Sequence, residues 1–206
     1  INLPIVYDPF DRARFLHGLV VTIELSVICI VASIVIGVLG AWLQGSKLVW
    51  TRRIVQGYIQ AFRNTPPLVQ LYFFYFGLSA LLPLAHTQFG TTAPLIGGFV
   101  WTCISLSFFA GAFNVEIFRS GIQSIDRGQW EASRSMGFGF ALTMRRIILP
   151  QALPVIIPPT GNQFISMLKD SSLVSVIGVW ELMFLARTLG QKTFQHMEML
   201  ISAAMI

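Results

Sequence analysis

Charge is what this 206-residue sequence has least of: charged side chains make up 11% of it, against 54% hydrophobic. Soluble domains carry about 25% charged residues, so too little charge is present to solvate a globular surface. With a mean hydropathy of +0.70, the chain is neither an ordinary soluble enzyme nor disordered. Cysteine is scarce as well. Cys29 and Cys103 lie inside apolar runs, where they act as small hydrophobes and exclude a disulfide framework. His17, His86 and His196 are far apart, so no metal-ligand spacing exists. A phosphate-binding loop is also missing: Gly190-Gln-Lys-Thr193 has the tail of one without its first glycine, and is expected in an outside loop. No H-E-x-x-H and no nucleophile–base set occurs, which removes the motif basis for a membrane-embedded enzyme. No repeat is evident. Ile1–His17 holds charges and no apolar core, so it is not a cleavable signal peptide.

What is abundant is long apolar sequence. A helix needs about 20 apolar residues to cross a bilayer, and the runs predict an all-α, polytopic helix bundle forming a single transmembrane domain over 1–206. Five spans are expected, at 18–43, 66–85, 95–115, 147–168 and from 197 to the end. The fourth contains Pro150, Pro154, Pro158 and Pro159, so it is expected to pack within protein rather than face lipid. Leu173–Ala186 is too short to span and is interrupted by Glu181, which predicts an interfacial or re-entrant helix. The chain starts at Ile1 and its fifth apolar run stops early, so further sequence is expected at both ends.

The scarce charge is unevenly placed. Between spans one and two lie Lys47, Arg52, Arg53 and Arg63; between spans three and four lie Arg119, Arg127, Arg134, Arg145 and Arg146. The connection between spans two and three has no Lys or Arg. This asymmetry places the first and third loops in the cytoplasm and the N-terminus outside. Arg12 and Arg14 run against that rule. The net charge of +5 therefore marks cytoplasmic loops and not a nucleic-acid surface.

The loop 119–146 is organised. Asp126 is placed to cap a short helix that Gly137 can end, with Gly139 as a second hinge. Glu131-Ala132-Ser133, followed by Gly137, Ile147 and Leu149-Pro150, resembles the EAA loop of binding-protein-dependent ABC importers, with Ser133 at a position usually held by Ala. Phe62-Arg63-Asn64-Thr65-Pro66-Pro67-Leu68-Val69-Gln70-Leu71 is similar to the second-span opening of the polar amino-acid permeases. Glu116-Ile117-Phe118-Arg119-Ser120-Gly121-Ile122 with Gly128-Gln129, and Leu168-Lys169-Asp170-Ser171-Ser172-Leu173, are similar to further stretches of the same family.

The resemblance implies a type I importer permease of the bacterial cytoplasmic (inner) membrane, moving polar amino acids by alternating access. It implies a dimer of ATP-binding subunits, a second permease (the same or homologous) and an extracytoplasmic amino-acid-binding protein as partners. ATP and Mg would then be held by the ATPase, with no cofactor in this chain and no catalysis by it. The coupling helix would be 125–136, with Gly128, Glu131, Ala132, Ser133, Arg134 and Gly137 as coupling residues. A permease for another small solute, an ion-coupled carrier and a channel are the alternatives.

Polar residues at membrane depth mark candidates for the path. Asn162, Ser166 and Lys169 share one helical face, with Gln163 and Asp170 beside it. This mixture suits a zwitterion, but Lys169 and Asp170 could equally pair or hold the helix end. Gln70 and Asn114 are further candidates. Glu116 and Arg119, three apart, are expected to pair. Glu24 is expected near the outer interface. Gly97, Gly98 and Gly111 are expected at close helix contacts.

Overall fold

The computed structural model describes residues 8–86 and 92–205. Helix α1, Pro9–Gln44, starts with Pro9 in its first turn and the Asp8 carboxylate accepting from the Phe10 N–H at 2.8 Å. Then come α2, Val49–Arg63, and α3, Pro67–Tyr72, continued by a π-helical turn at Phe73–Leu78 and a 3₁₀ turn at Ser79–Leu81. Two short antiparallel strands, β1 (Leu84–His86) and β2 (Thr92–Pro94), lead to α4, Gly98–Gln123. The rest is α5 (Arg127–Ser135), α6 (Phe140–Thr143), a π turn at Met144–Ile148, α7 (Leu149–Asp170), a 3₁₀ stretch at Ser171–Ile177, α8 (Leu182–Thr193) and α9 (His196–Ala204). Among the described residues, three helical stretches are long and apolar enough to cross a membrane: Pro9–Gln44, Gly98–Gln123 and Phe140–Ile177.

The chain divides into two compact units, and α1, α4 and α7 contribute to both. One unit comprises Ile1–Cys29, Pro66–Leu106 and Met167–Ile206. Its core holds Phe15, Ala186, Leu189 and Met199. There the Thr22 hydroxyl accepts from the Leu182 N–H at 3.1 Å. The other unit comprises Ile30–Thr65 and Ser107–Ser166. Val55 and Ile59 of α2 pack on Val115 of α4, with Tyr58 beside them. Gly40 and Gly111 let α1 and α4 approach closely: a side chain at Gly40 would collide with Val115, and one at Gly111 with Ile36. Gly98 is in ordinary contact with Tyr75 and Val179, but Gly97 faces open space, contrary to the expectation for it.

Several boundaries differ from the sequence reading, each for a local reason. The connection between spans one and two contains α2, whose apolar residues Val55, Ile59 and Phe62 recur on one side among basic ones. Span three runs to Gln123, well beyond 115, so Glu116 and Arg119 lie on the helix and not in a loop. Span four begins at Phe140, because a π turn precedes Pro150: the Leu149 N–H reaches back to the Met144 carbonyl and the widened turn accommodates the proline ring. Leu173–Ala186 is not one helix. Gly178 turns the backbone at φ 79° and Glu181 caps a new helix, accepting from the Met183 and Phe184 N–H groups at 2.8 and 2.6 Å. Gly190-Gln-Lys-Thr193 is the last turn of α8, not a loop.

The proline-rich helix is also less enclosed than expected. Ala152, Ile156 and Thr160 are buried at a four-residue interval, whereas Pro154, Pro158, Ile157 and Ile165 are exposed. The segment stays helical through Pro154, Pro158 and Pro159, although each lacks an N–H, and the Thr160 hydroxyl donates to the Ile156 carbonyl at 2.8 Å.

Candidate functional site

Helix α5 is built to keep its shape while exposed. At its start the Asp126 carboxylate accepts from the Gly128 N–H at 2.6 Å, which satisfies a donor the helix itself cannot. At its end Gly137 adopts φ 81°, and its N–H donates to the Arg134 carbonyl at 2.9 Å while the Phe138 N–H donates to Ser133 at 3.0 Å. That pair of bonds is a Schellman closure, for which glycine is the favoured residue. The observed helix, Arg127–Ser135, is shorter than the expected 125–136 because Asp126 is the cap and Met136 lies in the closing turn.

The coupling candidates divide between two faces. Gly128, Glu131, Ala132 and Arg134 are exposed. Ser133 is fully buried, donates to the Trp130 carbonyl at 2.8 Å and accepts from the Thr143 hydroxyl at 3.1 Å. Ser133 is thus an internal tie between α5 and α6 rather than part of the exposed face. Trp130 stacks on Phe140, with ring centres 6.1 Å apart, and strengthens the same junction. Gln129 and Gln151 are hydrogen-bonded at 3.3 Å, which links α5 to α7 as well.

The C-terminal half of α4 carries a second feature that the sequence did not reveal. Glu116 forms an ion pair with Arg63, the last residue of α2, and not with Arg119. The Arg63 guanidinium also lies 5.1 Å from the centre of the Phe113 ring. Two open clefts flank the pair. One, of about 370 Å³, is lined by Arg63, Phe113, Glu116, Arg119 and Gln123. The other, of about 260 Å³, is lined by Gln56, Gln60, Arg63, Asn64 and Glu116. Nearby, Tyr58 donates from its hydroxyl to the Phe108 carbonyl at 2.5 Å, and burial pushes the phenol well above its ordinary range. The partner of Glu116 was hidden because the two residues are far apart in sequence. Only the helical period of α2, ending at Arg63, hints that this arginine has a fixed direction.

The path candidates separate by burial. Asn162, Ser166 and Lys169 are exposed on α7, and Gln163 and Asp170 are partly buried. Lys169 and Asp170 do not pair; among the described residues the ion pair is the one between Arg63 and Glu116. Asn114 is completely buried and donates to the Ser33 hydroxyl at 3.1 Å, so it joins α4 to α1 instead of lining a surface. Gln70 is buried as well, at 6% exposure. Glu24 is exposed on α1, immediately before the uncharged stretch Leu25–Ser46. Among the described residues, no group of three or more His, Cys, Asp or Glu side chains is placed to hold a metal ion.

Comparison with known proteins adds an independent line. The family described as binding-protein-dependent transport system inner membrane component matches residues 33–206. The chain is 35% identical over 206 residues to the probable glutamine ABC transporter permease protein GlnM of Bacillus subtilis, covering 100% of this chain and 89% of that one. It is 33% identical to the arginine transport system permease protein ArtQ of the same organism, covering 93% and 83% of the two chains. Among solved structures, an amino acid ABC transporter with histidines superposes with a TM-score of 0.83 at 34% identity, over 99% of this chain and 89% of that chain. An inward-facing methionine ABC transporter, MetNI, shares the fold with a TM-score of 0.73 at 18% identity, over 96% and 91%.

Proposed function

We propose a transport role from one premise: the chain belongs to the binding-protein-dependent transport system inner membrane component family. It is the permease subunit of an ATP-driven importer, and its substrates are polar amino acids. The substrate class rests on relatives named for glutamine and arginine and on the solved amino acid transporter with histidines. The carrying observation within the molecule is α5, an exposed helix closed at both ends and tied to its neighbours.

In this reading the chain performs no bond chemistry. Separate ATP-binding subunits hold ATP and Mg, and α5 docks on them through Glu131, Ala132 and Arg134. The cap, the glycine closure and the Ser133–Thr143 bond keep α5 rigid. A displacement of the ATPase is therefore carried into α6 and α7 rather than absorbed in a loose loop. The N-terminus lies outside, where a binding protein delivers the amino acid; the basic residues of the first and third connections support that orientation.

The path follows the exposed polar side of α7. Asn162, Ser166 and Lys169, with Gln163 and Asp170 beside them, offer both donors and acceptors to a zwitterion. Such side chains are costly against lipid, which argues that a second permease, identical or homologous, covers this side. Together the spans form one permease domain.

The test is ATP hydrolysis by the assembled complex, stimulated by binding protein and amino acid. Glu131→Lys places the wrong charge on the exposed face. Gly137→Pro fixes φ near −65° where 81° is needed and removes the donor to Arg134. Both variants should insert in the membrane and lose stimulation. Normal stimulation in both contradicts the coupling assignment.

A further inference from the structure

The turn between α1 and α2 carries a surface apart from α5 and from the polar side of α7. Leu25–Ser46 contains no charged residue, and the helical part of that stretch, to Gln44, rises about 30 Å at 1.5 Å per residue, one hydrocarbon thickness. The end of α1 therefore fixes the depth of the turn, and Gln44–Arg53 lies at the membrane–water boundary. Helix α2 then shows three sides. Val55 and Ile59 are buried against the chain. Trp50, Ile54, Gly57 and Ala61 recur at i, i+4, i+7 and i+11 and form a separate apolar stripe, with Trp50 76% and Ile54 70% exposed. Arg52, Arg53, Gln56 and Gln60 occupy the remaining sector and are exposed.

Two observations identify what would cover this stripe. The first is charge: Lys47 and Arg53 are exposed on the turn and beside the stripe, and the sequence between Glu24 and Glu116 contains no acidic residue. The second is the type of apolar residue. Trp42 is 73% exposed and stands with Trp50 on either side of the turn, and the Arg53 guanidinium lies 6.0 Å from the centre of a Trp50 ring. Paired tryptophans with Lys and Arg beside them suit the headgroup layer, where rings sit among acyl chains and cations reach phosphates. We propose that Lys47, Arg53 and Trp50 form a site for the headgroup of an anionic phospholipid in the cytoplasmic leaflet. The site rests on the cytoplasmic placement of this turn in the transport reading, and it makes α2 an in-plane anchor for the helix that carries Arg63.

The test uses the permease–ATPase complex in nanodiscs and reads Trp50 directly, as the difference in lipid quenching between wild type and Trp50→Phe. Brominated phosphatidylglycerol should quench this signal at a bulk fraction about five-fold lower than brominated phosphatidylcholine. The double variant Lys47→Gln, Arg53→Gln should lose that preference while keeping phosphatidylcholine quenching, which shows that α2 is still seated. Equal quenching by both lipids in wild type overturns the headgroup site. Absence of quenching by either lipid also overturns it, because a second copy or the ATPase then covers Trp50. Binding-protein-stimulated ATP hydrolysis, measured on the same discs, separates failure of this site from failure of the transport reading.

Discussion

At Gly137 the backbone passes through a left-handed conformation, φ 81°, and no neighbour lies within 4 Å of where a side chain would begin. Space is therefore not the constraint there; backbone conformation is. Gly137→Ala should cost about 1 kcal/mol locally, and Gly137→Asn less, because Asn tolerates this region. Reduced stimulation of ATP hydrolysis in the alanine variant, recovered in the asparagine variant, is the expected result. The Arg63–Glu116 pair makes a different kind of prediction. Its side chains are 39% and 38% exposed, so its coupling should be about 1 kcal/mol and not several. Either Arg63→Glu or Glu116→Arg alone should lower the thermal midpoint of the purified complex, and the double exchange should recover part of the loss. A double variant as unstable as the sum of the singles would show that the pair contributes nothing.

Among the helices, packing at glycine separates contacts that matter from those that do not. Gly40→Leu or Gly111→Leu forces α1 and α4 apart and should cost about 1–3 kcal/mol, read as a lowered thermal midpoint of the complex. Gly97→Ala meets nothing within 4 Å and should be close to neutral. Capping yields a parallel case in α8: Glu181→Ala removes the acceptor for two N–H groups and should cost about 1–2 kcal/mol in the same measurement.

These elements also show what the sequence could and could not display. The cap at Asp126 and the stop at Gly137 were legible because capping is a local matter of residue type and spacing. Helix α2 was hidden by its own arginines, since Lys47–Arg63 reads as a charged loop unless Val55 and Ile59 are known to pack on Val115. The inward direction of Ser133 depends on Thr143, and the partner of Glu116 on Arg63; neither contact leaves a local trace. Asn114 looked like a path residue because it is polar at membrane depth, yet its partner Ser33 lies on another helix.

For the molecule as a whole, little charge is present and most of its basic part falls in two connections. One of these holds α5, and the other holds the tryptophan-flanked turn before α2. Among the described residues, three helical stretches have the length and apolarity of membrane spans, and the proline-bearing α7 leaves polar groups uncovered. An importer subunit accounts for all three features: a membrane body, an exposed helix closed at both ends and an uncovered polar side. The most direct measurement is uptake of labelled glutamine, arginine and histidine into proteoliposomes holding the complete complex, with binding protein added outside and ATP enclosed. Accumulation of at least one of these amino acids above its outside concentration is expected, dependent on enclosed ATP and on the binding protein, and abolished by Glu131→Lys. Uptake that proceeds without ATP, or that Glu131→Lys leaves unchanged, would contradict the transport reading.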